Sequence, residues 1–311
     1  MLSAITVIGG KASDDLAKRL AKKLKASFVS TELRVFPDGE SKITISSKPK
    51  KGKIVVVNST YPPVDTNLLQ TLSLIAKAKQ FSNQIICVIP YLGYARQDRE
   101  FLPGEIVTLS VIAKLLSSAG ASKVIVVDMH SMLGLNHFTI PVRNVSAVPD
   151  LANHLKKMRL KNPLVVSPDL GGKETPKEFA KFYGTDYIAL QKQRDRKTGK
   201  VQIMTANLDG VKGRDLVLVD DMISTGGSII KATQFLKKQK CGKVFVACTH
   251  ALLIDNAEQK IKKSGVSAII SANTIPGSTS LVDVSGVIAK AISNARELFP
   301  SLKRISRACS G

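Results

Sequence analysis

Short, near-continuous aliphatic runs recur along the whole chain, and each is followed by a stretch with helical spacing. AITVIGG leads to DDLAKRLAKKLK, KIVVVN to TNLLQTLSLIAKAKQ, QIICVIPY through a polar loop to IVTLSVIAKLLSSAG, and KVIVVDMHS closes the series. The scheme then repeats with LVVSPD, DYIALQK, DLVLVDD, KVFVACTH and AIISANT. A strand with one face in water alternates apolar and polar residues, whereas these runs do not alternate. They are the runs of parallel strands covered by helices on both faces. In DDLAKRLAKKLK, Leu16, Leu20 and Leu24 share one helical face, with Asp14 and Asp15 near its start. The pattern predicts an α/β chain of two domains with the same plan, meeting near residue 145. The first spans residues 1–145 and the second 146–290, and a C-terminal helix and tail, 291–311, is placed to pack back on the first.

The chain has 311 residues, 44% of them hydrophobic, enough for two sizeable cores. No apolar run reaches membrane-spanning length, so no membrane association is expected. MLSAITVIGGKAS carries no basic region ahead of its apolar stretch and reads as a first strand, not a secretory signal. The four cysteines, Cys87, Cys241, Cys248 and Cys309, lack metal-ligand spacing and point to a reducing, cytoplasmic setting. The formal net charge of +22 invites a nucleic-acid reading. Yet the lysines are scattered, and only 5% of residues are aromatic, so stacking platforms for single strands are scarce. Phosphorylated small substrates suit such a surface equally, and no nucleic-acid partner is expected.

In open parallel sheets ligands bind beyond the carboxyl ends of strands. Asp128, His130, Asp169, Asp220, Asp221 and His250 all fall at such ends. The stretch LVLVDDMISTGGS, residues 216–228, is the most informative. Leu216–Val219 reads as the strand, Ile229 onward as the helix, and Ser224, Thr225, Gly226, Gly227 and Ser228 as the turn between them. Amides at a helix start are unpaired and partly positive, so they hold phosphate. The glycines admit close approach, the hydroxyls add donors, and Asp220 and Asp221 suit the vicinal hydroxyls of a sugar. The turn therefore predicts a pentose monophosphate site.

VLVDDMISTGGS resembles the phosphoribosyl-diphosphate binding motif of the type I phosphoribosyltransferase fold. VIPYLGYARQDRE (88–100), VDMHS (127–131), VSPDLGGK (166–173), LQKQR (190–194) and CTHALL (248–253), with FPDGE (36–40), resemble segments of the ribose-phosphate diphosphokinases, in that family's order. The resemblance covers about residues 4 to 295. It implies two tandem type I phosphoribosyltransferase-like domains, each a mainly parallel sheet flanked by helices. It also implies transfer of a diphosphoryl group from ATP to the anomeric hydroxyl of ribose 5-phosphate.

That resemblance supplies the site assignments. Lys192 matches the family's catalytic lysine and Arg194 a ribose-phosphate-binding arginine. At alternate positions of an extended segment, both side chains would face one way and could steady the migrating phosphoryl oxygens. The polar DRKTGK that follows is expected to close over ATP. His130 and Asp169 match metal-associated positions for Mg2+, with Asp128 a further candidate ligand. Magnesium keeps much of its water, so His130 could act through a bound water as readily as directly. Arg96, Gln97 and Arg99 in YARQDR match the ATP side. Phe36, Asp38, Gly39 and Glu40 match an adenine site that the family completes from a neighbouring subunit, which implies a homo-oligomer. On its own FPDGE is simply a turn.

Three departures stand out. Ser224 occupies a position where many members carry aspartate. EFLPGEIVT (100–108) lacks the family's arginine-serine-arginine cluster, which removes the basis for its usual allosteric site. HSMLGLNHF (130–138) departs from the usual glutamine-containing stretch, which leaves His137 without a role. A salvage phosphoribosyltransferase would share the DDMISTGG loop but has no use for YARQDR, FPDGE and LQKQR. A non-catalytic regulatory relative would be expected to lose His130, Asp169, Lys192 and Arg194.

Overall fold

The computed structural model describes residues 4–168, 174–194, 201–204 and 210–294, with the side chains of 191–194 and 201–204 left aside. Its first half contains β1 (Ile5–Gly9), β2 (Ser27–Val29), β3 (Thr31–Val35), β4 (Ser41–Ile45), β5 (Lys53–Val57), β6 (Ile85–Ile89), β7 (Lys123–Val127) and β8 (Val142–Val145). The second half contains β9 (Leu164–Ser167), β10 (Tyr187–Ala189), β11 (Gln191–Arg194), β12 (Val201–Met204), β13 (Leu216–Ile223), β14 (Val244–Ala251), β15 (Val266–Ala272) and β16 (Ser280–Val282). The helices are α1 (Asp14–Leu24), α2 (Val64–Lys79), α3 (Thr108–Ser118), α4 (Val148–Lys156), α5 (Glu174–Tyr183), α6 (Gly227–Lys238), α7 (Ala257–Lys263) and α8 (Ser285–Ser293).

One six-stranded sheet runs β2-β1-β5-β6-β7-β8 and the other β10-β9-β13-β14-β15-β16, and both are parallel throughout. Counted within each half the two orders are identical. An antiparallel hairpin, β3-β4 or β11-β12, follows the edge strand in both. The halves are thus the same fold twice, with unlike sequences. In each, the strand order reverses beside the first strand, at β1/β5 and β9/β13, and such a reversal opens a crevice at the carboxyl edge.

The aliphatic runs are buried on both faces, as their lack of alternation requires. Ile54 and Val56 of β5 face a core built with Leu74 and Ile75 of α2 and Leu109, Ile112 and Leu116 of α3. Val55 and Val57 face the opposite core, with Leu16 and Leu20 of α1. In β13, Leu216 and Leu218 pack with Ile229 and Leu236 of α6 and Ile261 of α7, whereas Val217 and Val219 point the other way. That shared middle core joins the two halves: α1, α8, α4 and α5 bring Leu20, Ile288, Leu151 and Phe179 into it. The final described helix, α8, starts at Ser285, and most of the segment 291–311 lies outside the described residues. Helix α8 packs on α1, and Arg143 Nη1 donates to the Ala291 carbonyl at 3.4 Å.

Asp215 brackets the start of β13. Its Oδ2 accepts from the Lys161 amide and its Oδ1 from the Lys243 amide, each at 2.8 Å. Alanine at 215 should cost about 1–3 kcal/mol by leaving two amides without their partner. A denaturant titration should show the loss, while turnover of the folded fraction stays at the wild-type level.

Candidate active site

The strand that carries the two acids is longer than its aliphatic letters indicate. β13 continues through Asp220 and Asp221 to Ile223, and α6 begins at Gly227 rather than Ile229. β14 holds this extension in register, with Asp220 opposite Cys248, Met222 opposite His250 and Ile223 opposite Ala251. On the other side the pairing with β9 ends at Leu218–Val166, so β13 overhangs its neighbour at the crevice.

Residues 224–226 form the turn after this overhang, and Gly227 and Ser228 open α6. With Arg96, Asp220, Met222 and Lys231 they line a cavity of about 380 Å³. Gly226 adopts φ 75° as the cap of α6, a left-handed conformation that favours glycine. A Cβ there would lie 2.7 Å from Ile261 Cδ1, so this glycine is required by the packing of α7 and not by space for a ligand. A Cβ on Gly227 would meet nothing within 4 Å. The open face of the cradle is therefore at Gly227. Lys231, one helical turn beyond Gly227, adds a cation that the motif alone did not single out; its i, i+4 position was the available signal.

Arg96 also lines a second cavity of about 310 Å³, with Tyr91, Gly93, Tyr94, Gln97, His130, Met222 and His250. His130 and Asp221 in turn line a third, of about 710 Å³, with Asp128, Asp220, Glu174 and Glu178. The sequence reading had singled out neither Tyr91, although it lies within VIPYLGYARQDRE, nor Glu174 and Glu178, which carry no motif of their own. Burial, and then the charge of Asp128, raises the Glu178 carboxyl above its usual range.

His130 and Asp221 meet across the two halves, with Nδ1 2.6 Å from Oδ2. The hydrogen bond to Asp221 raises the pKa of His130, although burial pulls the other way. For Asp221, burial pushes the carboxyl up, but the bond to and charge of His130, with help from Asp220, hold it below the usual range. Both shifts describe an ion pair. The stabilisation from the raised histidine is complete below its ordinary value of 6.5 and is lost as pH rises through the raised value. In magnesium-free buffer the melting temperature of Asp221→Asn should therefore trail wild type most between the carboxylate range and pH 6.5. The gap should close at higher pH, and a constant gap across that range would argue against the ion pair.

Asp128, with φ 37°, sits at the turn after β7. Its Oδ2 accepts from the Ala147 amide at 2.9 Å and from Thr249 Oγ1 at 2.6 Å. That oxygen is committed to tying β7 to β14, so Asp128 has a structural task beside any contact with a metal. His137, left without a role by the sequence, donates from Nε2 to the Asp98 carbonyl at 2.6 Å and so ties two loops together.

The remaining predicted residues lie elsewhere. Arg99 stacks over Phe101, 5.0 Å from the ring centroid, and lines none of these cavities. Phe36, Asp38, Gly39 and Glu40 form the exposed tip of the β3-β4 hairpin. The Phe36 amide donates to the Glu40 carbonyl, and Asp38 Oδ1 accepts from the Glu40 amide at 3.1 Å. This tip lines none of the three cavities either. Lys192 and Arg194 fall two residues apart within β11, backbone-paired to Ile203 and Val201. Asp169 and the DRKTGK segment (195–200) lie outside the described residues. In 100–106, Glu105 Oε2 accepts from the Phe101 amide at 3.0 Å and Glu100 from the Gly104 amide. Acidic residues thus organise the loop where the family's basic cluster is missing.

Twin parallel sheets, with a strand–acid–glycine turn overhanging the crevice of the second, define the class of tandem phosphoribosyltransferase-like α/β enzymes. Comparison with known proteins narrows this. A profile described as the N-terminal domain of ribose phosphate pyrophosphokinase matches residues 5–120, and one described as a phosphoribosyl synthetase-associated domain matches residues 170–309. The ribose-phosphate pyrophosphokinase of Sulfurisphaera tokodaii is 37% identical over 290 residues, covering 92% of this chain and 99% of that protein. That of Methanopyrus kandleri is 38% identical over 281 residues, covering 90% and 95%. The crystal structure of phosphoribosylpyrophosphate synthetase from Mycobacterium smegmatis matches with a TM-score of 0.82 at 27% identity, over 93% of this chain and 98% of that one. The chain belongs to the ribose-phosphate pyrophosphokinase family.

Proposed function

We propose that the chain transfers the β,γ-diphosphoryl group of ATP to the 1-hydroxyl of ribose 5-phosphate, forming 5-phosphoribosyl 1-diphosphate and AMP for nucleotide biosynthesis. The observation that carries this reading is the sharing of Arg96 between the cradle of the second half and a cavity lined mainly by the first. Two ligands bound in those spaces would meet at one guanidinium, beside the His130–Asp221 pair. A salvage transferase accounts for the cradle but leaves the cavity at Arg96 and Gln97 without a task.

In this reading the amides and hydroxyls of 224–228 hold the 5-phosphate. Asp220 and the remaining oxygen of Asp221 accept from the ribose hydroxyls. Arg96 and Gln97 hold the nucleotide's phosphate side. Lys192 and Arg194 balance charge on the diphosphoryl group, because transfer of this kind depends on alignment and charge neutralisation rather than covalent participation.

The wall of the largest cavity offers hard oxygen donors from Asp128, Asp220, Asp221, Glu174 and Glu178, chemistry that suits a magnesium ion. Among the described residues no three such groups converge on one point. His130 and Asp169 would hold it, directly or through water, and bound there it would neutralise charge on the ATP phosphates. The exposed hairpin tip 36–40 would serve the adenine of a neighbouring copy, so the working form is a homo-oligomer. No described helix is long and apolar enough to cross a membrane. In this reading the protein works in the cytoplasm on small phosphorylated substrates, with no nucleic-acid partner.

The test is incubation with ATP, magnesium and ribose 5-phosphate. AMP that forms only when the sugar is present is the expected result. ADP in its place, or AMP independent of the sugar, would exclude this reaction.

A further inference from the structure

Thr249 and His250, near the end of β14, both reach from the second half to the end of β7 in the first. Thr249 Oγ1 donates to Asp128 Oδ2 at 2.6 Å. His250 Nε2 donates to the Val127 carbonyl at 3.0 Å and lies 3.3 Å from the carbonyl of Asp128. His250 is only 4% exposed, and Tyr91 meets its ring edge-on at 5.1 Å. Its Nδ1 lies 2.9 Å from Thr274 Oγ1, and the Thr274 carbonyl accepts from Ser59 Oγ at 2.6 Å. The Val127 carbonyl can only accept, so the ring proton facing it sits on Nε2.

An apolar side chain would fill this space without the penalty of burying an imidazole. A reason for the imidazole lies in β7. The chain turns at Asp128 through a left-handed residue, and the Val127 carbonyl finds its donor in His250. Two residues beyond that turn stands His130. The backbone of His250 is at the same time in register with Met222, the neighbour of Asp221. His250 is therefore tied to the segments that carry both partners of the ion pair: by its main chain to the strand position next to Asp221, and by its side chain to the residues just ahead of His130.

We propose that His250 is a positioning residue for diphosphoryl transfer, fixing the separation of His130 and Asp221 across the two halves of the molecule. This rests on the reading above that the pair belongs to the reaction centre. His250→Leu should lower kcat by about tenfold to a hundredfold, the range for a small misplacement of reacting groups. The KM for ribose 5-phosphate should change less than about twofold, because His250 does not line the cradle. His250→Gln, which can keep a donor near Nε2, should recover most of the lost kcat. In crystals of His250→Leu the His130–Asp221 contact should open beyond about 3.2 Å.

Wild-type kcat in His250→Leu, equal losses in the Leu and Gln variants, or a pair still at 2.6 Å would each overturn the proposal. Should His250→Leu not fold, Thr249→Val carries the test: a lower kcat at unchanged KM supports the clasp, and an unchanged kcat refutes it. Sugar-dependent AMP formation by wild type judges the reaction, whereas the separation of the pair in variant crystals judges the positioning role alone.

Discussion

Replacing Lys192 with alanine is expected to lower kcat by about two to three orders of magnitude, the range for removing one preorganised charge from a transfer site. Binding of ribose 5-phosphate should stay nearly unchanged. The split follows from where the two functions sit. The 5-phosphate is assigned to the turn at 224–228, formed by the end of β13 and the start of α6. Lys192 belongs to a separate antiparallel hairpin, β11-β12, which is not part of the six-stranded sheet. In the proposed reaction, loss of its ammonium removes a charge assigned to the migrating diphosphoryl group and leaves the cradle intact. Steady-state kinetics with both substrates varied, and calorimetry with ribose 5-phosphate, measure the two quantities separately. Wild-type turnover in the variant would remove the role assigned to this lysine.

The second large effect separates two adjacent glycines. Valine at 227 should raise the KM for ribose 5-phosphate about tenfold or more, the scale of one lost charge-assisted hydrogen bond. Its side chain would project into open space at the cradle, so the melting temperature should hold. Valine at 226 should do the reverse. Its Cβ would press on Ile261, which is fully buried, from a backbone with φ 75°. Crowding and backbone strain together should cost about 2–4 kcal/mol of stability. The two melting curves and the two KM values form one test. A stable Gly226→Val protein with weakened sugar binding would mean that the turn faces the other way.

The sheet strands and the principal helices were legible because burial on both faces demands unbroken aliphatic runs, and DLVLVDD and KIVVVN are such runs. The glycine turn was legible for a related reason: a strand running into a helix through small residues has few other uses. The ends of elements were less so. The strand reading stopped at Val219, yet Asp220 and Asp221 lie within β13 because β14 continues to pair with it. A polar letter in a strand becomes visible only when its partner strand is known. The packing task of Gly226 was not legible for a similar reason, since Ile261, thirty-five positions away, sets it.

The sequence by itself determined the class of fold, the repeat of its plan and the family, because these depend on the order of local patterns along the chain. Only the tertiary structure decided that Arg96 lies between two cavities, that His130 pairs with Asp221, and that Thr249 and His250 clasp the turn at Asp128. Those hydrogen bonds join residues 91 to 123 positions apart. They exist because a core shared by α1, α4, α5 and α8 sets two separately wound sheets against each other. Packing between distant segments leaves no periodic trace in either one, so the geometry of the crevice had to be seen rather than read.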